Sequence, residues 1–166
     1  MIQTKDSKFM LRFAEDKDLK LILTFIKELA DYENLLDQVM ATEEILYNSL
    51  FEKKEAEVLI GEYDNEPVGF ALFFQNFSTF VGRSGIHLED LYVKPEMRGK
   101  GLGKIMLSEV AKIAVERGCR RLEWWCLDWN EPSIKFYKSL GATAMDELTV
   151  YRLSDKSLKG FASNSD

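Results

Sequence analysis

Cysteine is nearly absent from this chain: its 166 residues hold two, Cys119 and Cys126. Seven apart and each set among strand-like residues, they make neither a metal-binding spacing nor a disulfide framework, and they read as buried thiols. Histidine occurs once, at position 87, and none neighbours Cys126 to activate it, so nothing in the sequence requires a covalent intermediate or a metal. No apolar run approaches the roughly 20 residues needed to cross a bilayer, which argues against a membrane protein. The first eight residues, Met1 to Lys8, carry neither an apolar leader core nor an arginine-rich amphipathic pattern, so a cytoplasmic location is expected. Positive charge is also in short supply: 22 Lys and Arg face 28 Asp and Glu, a net charge of −6. That balance disfavours a nucleic-acid partner, whose phosphates need clustered cations. It suits a cationic substrate, and equally serves solubility.

With 46% apolar and 30% charged residues, the composition is that of one soluble globular domain. Lys8 to Phe13 alternates as a first strand, and the acidic stretch Glu15 to Asp18 precedes a helix whose apolar face is Leu19, Ile22, Leu23, Ile26, Leu29 and Ala30, ending near Tyr32. Thr42 is placed to cap a second, short helix. Glu57 to Tyr63, a turn over Asp64 to Pro67, and Val68 to Phe74 form a hairpin; Ile86 to Val93 is a further strand. A long helix is predicted from Gly101 to about Arg117, closed by Gly118, then a strand from Arg120 to Leu127. Asn130 is a cap for a short helix with Pro132 in its first turn and Gly141 at its end. Leu148 to Leu153 reads as a last strand. No repeat or linker interrupts this order, so the prediction is an α/β domain over residues 1–166, with a core of about 8–153 and frayed ends at 1–7 and 154–166. Its sheet would be mixed but mostly antiparallel, of about six to seven strands, with helices on both faces.

The segment with chemistry in it is Arg98-Gly99-Lys100-Gly101-Leu102-Gly103-Lys104, set between the strand ending at Val93 and the long helix. Free amides at a helix start, glycines that let backbone approach closely, and the cations Arg98 and Lys104 together make a diphosphate site. A Walker A loop is excluded, because Gly103-Lys104 is followed by Ile105 and Arg98 stands five before Gly103. A dinucleotide loop is excluded because the third glycine is at 103 instead of 104.

The pattern Arg98-x-x-Gly101-x-Gly103 resembles the coenzyme A loop of the GNAT superfamily of N-acetyltransferases, Gln/Arg-x-x-Gly-x-Gly/Ala between a strand and a helix. Leu88 to Val93 before the loop, and Trp129-Asn130-Glu131-Pro132-Ser133-Ile134-Lys135-Phe136-Tyr137 after it, are similar to the diamine branch that includes spermidine/spermine and thialysine acetyltransferases. So is Ile26 to Ala30 with Tyr32 and Glu33. The resemblance covers roughly Phe9 to Leu153. It implies a GNAT-like fold, acetyl-CoA as cosubstrate, no metal, a small-molecule amine as acceptor, and a homodimer.

Carried over residue by residue, the backbone of Leu91, Tyr92 and Val93 would pair with the pantetheine arm. Gly99, Lys100, Gly101, Leu102, Gly103 and Lys104 would wrap the pyrophosphate with Arg98, and Asn130 and Ser133 would lie further along the cofactor. Tyr137 matches the general acid: a phenol titrating near ~10 can donate to a thiolate whose conjugate acid is near ~8.5. Periodicity alone makes Phe136-Tyr137 an aromatic pair on a short helix. Glu89 matches the residue that takes a proton from the amine, which arrives as a cation. Adjacent strand residues point to opposite sides, so Glu89 and Asp90 are not expected on one cleft face; Glu89 shares its face with His87 and Leu91. Asp90 is either a substrate carboxylate or a solvated one, and His87 is either a packed ring or part of the proton path. Tyr32, Glu33 and Trp124 complete the expected amine cleft, Trp124 by cation–π contact.

Asn76 to Arg83 departs from the branch, with Ser78 and Arg83 where an acidic residue and a tryptophan are common. This points to a differently arranged acidic groove, which argues against spermidine among the polyamines and leaves a small diamine, a lysine analogue or another aminoalkyl compound as the acceptor. A peptide or protein N-acetyltransferase and a non-catalytic acetyl-CoA-binding module remain as other readings. Retention of both Glu89 and Tyr137 argues against the module.

Overall fold

The computed structural model describes residues 1–164 and resolves into two compact units, Met1–Trp125 and Cys126–Asp166. The first is built on a six-stranded sheet in the order of the sequence: β1 (Ile2–Gln3), β2 (Phe9–Phe13), β3 (Glu57–Tyr63), β4 (Glu66–Ser78), β5 (Arg83–Val93) and β6 (Leu122–Trp124). All neighbours are antiparallel except β5 and β6, which run parallel. The β3–β4 turn is two residues long, and both Asp64 and Asn65 have positive φ, the backbone that matches the twist of a tight hairpin.

Three α-helices belong to this unit: α1 (Leu19–Tyr32), α2 (Glu43–Tyr47) and α3 (Leu102–Glu116). The α1 helix buries Ile22 and Phe25 against Val58 and Ile60 of β3, Phe70 and Leu72 of β4, and Tyr92 of β5. Phe25 stacks on Phe70 with ring centroids 5.6 Å apart. On the opposite face, Met106 of α3 and Phe9 of β2 close over Gly61. Neighbouring residues on one strand therefore serve two cores, one beneath each helix. Thr42 caps α2 by accepting from the Ile45 amide at 3.2 Å, as its spacing predicts.

Three stretches differ from the sequence reading. Residues 2–3, expected to be frayed, pair with Met10 and Leu11 as an edge strand. The strand predicted from Arg120 to Leu127 is only Leu122–Trp124, because its partner β5 leaves regular geometry after Leu88. Leu148 to Leu153 alternates as a strand would, but no strand forms there among the described residues, and Leu148, Val150 and Tyr151 are exposed. Alternation supplies a face, whereas a ladder needs a neighbour.

The second unit contains α4 (Glu131–Ser139) and α5 (Asp155–Ser163). The latter lies in the tail expected to be frayed, begins at a Ser154–Ser157 capping box, and ends before Ser165 and Asp166, which are outside the described residues.

A backbone contact fixes β4 against β5 where the chain leaves for the glycine loop. A Cβ on Gly69 would stand 2.3 Å from the Tyr92 carbonyl oxygen, and backbone cannot step aside as a side chain can. Gly69→Ala is expected to destabilise the fold by about 2 kcal/mol or more, read as a lower urea midpoint at unchanged slope.

Candidate active site

The β4–β5 ladder carries the feature on which the site turns. Leu72 pairs with Asp90 and Phe73 with Leu88, so Glu89 is an extra, unpaired residue: a β-bulge. Across the bulge the alternation slips by one. Tyr92 and Asp90 lie on the α1 face opposite Phe70 and Leu72, and His87 lies on that face opposite Phe74. Leu88 and Leu91 share the other face, opposite Phe73 and Ala71. The expectation that Glu89 and Asp90 diverge, and that Leu91 sides with Glu89, is therefore corrected. The bulge turns both carboxylates to one side.

Electrostatics show the consequence. Asp90, partly buried, has its carboxyl pushed up to about 7, first by loss of water and then by the charges of Glu89 and Glu33. Glu33, just past the end of α1, is raised by burial and by Glu89. Glu89 itself has a half-exposed side chain, and its Oε2 stands 3.4 Å from Nε2 of buried His87. Three carboxylates from two elements thus share one field.

The β6 ladder stops at Leu88–Trp124, next to the bulge, and no strand pairs with β5 from Glu89 to Val93 on that side among the described residues. An extended ligand can add there as a strand would. The Tyr92 side chain points away into the α1 core, where its hydroxyl donates to Glu28 Oε2 at 2.6 Å; burial and that carboxylate push its phenol above the usual range. The Tyr92 side chain therefore does not reach a ligand at this edge. Glu28 was not legible as a partner.

Beyond Val93, Gly99 and Gly101 take φ of 81° and 78°, left-handed conformations, and a Cβ on either would meet nothing within 4 Å. The loop is thus bare backbone facing open space, where side chains would be strained. The first intrahelical bond of α3 is Ile105 N–H to the Gly101 carbonyl. Leu102, Gly103 and Lys104 precede it, and their amides have no carbonyl one turn back to donate to. Converging amides, the positive end of α3 and the cations Lys100 and Lys104 fit a diphosphate. Lys100 Nζ lies 4.8 Å from the Tyr63 ring centre. Arg98 is turned elsewhere: its Nε donates to the Val93 carbonyl at 3.0 Å and its guanidinium lies 4.9 Å from the Tyr32 ring centre. It joins the loop to the end of α1.

Asn130, Ser133 and Tyr137 belong to the second unit. Asn130 is buried and caps α4, its side-chain oxygen accepting from the Ser133 amide at 3.4 Å. Tyr137, on the same helix, packs its ring against Phe136 with centroids 5.4 Å apart. Trp124 stands at the end of β6 opposite Leu88. Among the described residues no cluster of metal-ligating side chains occurs.

A profile of the acetyltransferase (GNAT) family matches residues 23–142, which include most of α1, the bulge, the glycine loop and α4. The chain belongs to that family and is an acetyltransferase. Among its relatives, the thialysine N-epsilon-acetyltransferase of Bos taurus is 41% identical over 147 residues, spanning 83% of this chain and 86% of that protein. Spermidine/spermine N(1)-acetyltransferase-like protein 1 of Homo sapiens is 33% identical over 150 residues, spanning 86% of this chain and 21% of that longer protein. A solved integron cassette protein from V. cholerae superposes with a TM-score of 0.79 at 28% identity, covering 95% of this chain and 99% of that one. The GNAT family and fold suggested by the sequence motifs are thereby established, and the relatives carry the names of the branch that the motifs resemble.

The raised Asp90 carboxyl has a measurable cost. It holds its proton more tightly folded than unfolded, so its effect on stability worsens as pH rises from the ordinary value of 3.8 through about 7, and is fully felt above that. Asp90→Asn is expected to raise Tm at pH 8 by about 5 °C, and by less at pH 5, in thermal melts followed by circular dichroism.

Proposed function

We propose that this protein transfers an acetyl group from acetyl-CoA to the primary amine of a small cation, a diamine, polyamine or lysine-like compound, by direct attack in a ternary complex. The observation that carries the reading is the set of Glu33, Glu89 and Asp90 beside the glycine loop. Burial first, and then the neighbouring negative charges, raise the Asp90 and Glu33 carboxyls, and one bound ammonium group would favour the ionised form of both. The names of the relatives, thialysine and spermidine/spermine acetyltransferases, favour the same class of acceptor.

Acetyl-CoA supplies the acetyl thioester. Gly99 to Lys104 would hold its pyrophosphate through backbone amides, with Lys100, Lys104 and a reoriented Arg98 adding charge, and Asn130 and Ser133 further along. Leu91, Tyr92 and Val93 would hold the pantetheine arm through backbone groups of the open β5 edge. Glu33 and Asp90 bind the cation, with Tyr32 and Trp124 offering aromatic faces. Glu89 accepts the proton that the amine must lose before it can attack, directly or through water. Tyr137 donates its phenolic proton to the departing sulfur. A homodimer, by likeness to the branch, and a cytoplasmic location complete the reading; light scattering at twice the chain mass checks the first.

The test is release of coenzyme A thiol from acetyl-CoA over a panel of diamines, polyamines, thialysine and N-terminal peptides. Turnover is expected with a small amine. Tyr137→Phe should lower kcat about 10²-fold, the lower range for general acid catalysis, at an unchanged Kd for acetyl-CoA. No thiol release with any amine, despite acetyl-CoA binding, would overturn the enzyme mechanism. Turnover confined to peptides would overturn the small-cation acceptor, and an unchanged rate in Tyr137→Phe would remove Tyr137 alone.

A further inference from the structure

Glu89 presents a problem of control. As the extra residue of the bulge it lacks a cross-strand neighbour, and its side chain is half exposed. A glutamate so placed keeps its rotamer freedom, whereas a proton acceptor works at one position. The side chain that touches it is His87, with Nε2 at 3.4 Å from Oε2. His87 itself is fixed: it is 7% exposed, its ring lies 5.0 Å from Phe74 at 31°, and the Trp125 ring meets it edge-on at 5.2 Å and 76°. Two residues apart on one strand, His87 and Glu89 share a face, and the bulge brings Asp90 to that same face.

We propose that His87 is a positioning residue for the acetyl-transfer reaction, an immobilised nitrogen that holds one Glu89 oxygen so that the other faces the amine. The proposal rests on the reading of Glu89 as the proton acceptor. His87 touches neither substrate nor cofactor in this role; it acts through Glu89. Other charged groups share its surroundings. Glu123 is its register partner on β6, while Asp90 and Glu33 lie in the field of Glu89. At 3.4 Å the pair is looser than a formed hydrogen bond, and a small turn of the half-exposed Glu89 side chain closes it; an imidazole nitrogen is then able to hold a carboxylate without a formal charge of its own.

Four variants of the full chain test it: His87→Phe, which keeps an aromatic ring on Phe74 and Trp125; His87→Gln, which puts an amide nitrogen near the place of Nε2; Glu89→Gln; and the double variant His87→Phe/Glu89→Gln. With acetyl-CoA and thialysine as substrates, His87→Phe is expected to lower kcat about tenfold, the worth of one long side chain's rotamer freedom, with KM for acetyl-CoA unchanged. His87→Gln should return to within about threefold of the wild type, and the double variant should be no slower than Glu89→Gln, since two residues acting through one path do not add. The chain's single histidine gives one imidazole Cε1–H resonance by NMR, which should move in Glu89→Gln whatever the amine. Wild-type turnover by Glu89→Gln would defeat the reading of Glu89, and the positioning role with it. A slow Glu89→Gln beside a fast His87→Phe would defeat the positioning role alone. So would an additive double variant or an unmoved imidazole resonance. If His87→Phe does not fold, His87→Gln and the resonance still decide.

Discussion

Between the pairs Leu72–Asp90 and Phe73–Leu88 the β4–β5 ladder passes over Glu89, and the site is organised by that omission. One unpaired residue does three things at once. It shifts the alternation so that His87, Asp90 and Tyr92 share the α1 face. It thereby sets Asp90 beside Glu89, which already shares the side of His87. It coincides with the end of the β6 ladder at Leu88, which leaves the last residues of β5 with one edge open. A bulge costs a little ladder regularity, and here that loss creates a carboxylate cluster and an unpaired strand edge within a few residues of each other.

The glycine loop depends on the same strand. The β5 strand delivers the chain at Val93, Gly99 and Gly101 bend it through left-handed backbone, and α3 begins with amides that have no partner within the helix. The α3 helix is held by its buried face, including Leu102, Met106 and Val110. The amides at its start are thus aimed by a core that has no direct part in the chemistry. Arg98 links this loop to the acidic side, through the Val93 carbonyl and the ring of Tyr32.

The sequence was most informative where residue type dictates backbone. Glycines at 99 and 101, the cap at Thr42, the cap at Asn130 and the apolar stripe of α1 were all legible, because each follows from local chemistry. The bulge was only half visible. Ile86 and Leu88 are two apart and Leu91 is three further on, a slip in period that Glu89-Asp90 fills, yet simple alternation was assumed. Tertiary partners were not legible. Nothing local shows that His87 sits under Trp125, that Tyr92 bonds Glu28, or that Arg98 turns back to Val93. The short β6 and the missing strand at Leu148 to Leu153 have one cause, since a strand's extent belongs to its neighbour as much as to itself.

The open end of β5 has a further consequence, for solubility. A strand edge with unpaired amides and carbonyls is a template on which another chain can add, and proteins guard such edges with charge. Here Glu89 and Asp90 stand on the strand itself, and Arg98 covers the Val93 carbonyl with its Nε. The groups proposed to receive substrate and cofactor therefore also act as gatekeepers, keeping the sheet from growing while its edge remains open to a ligand.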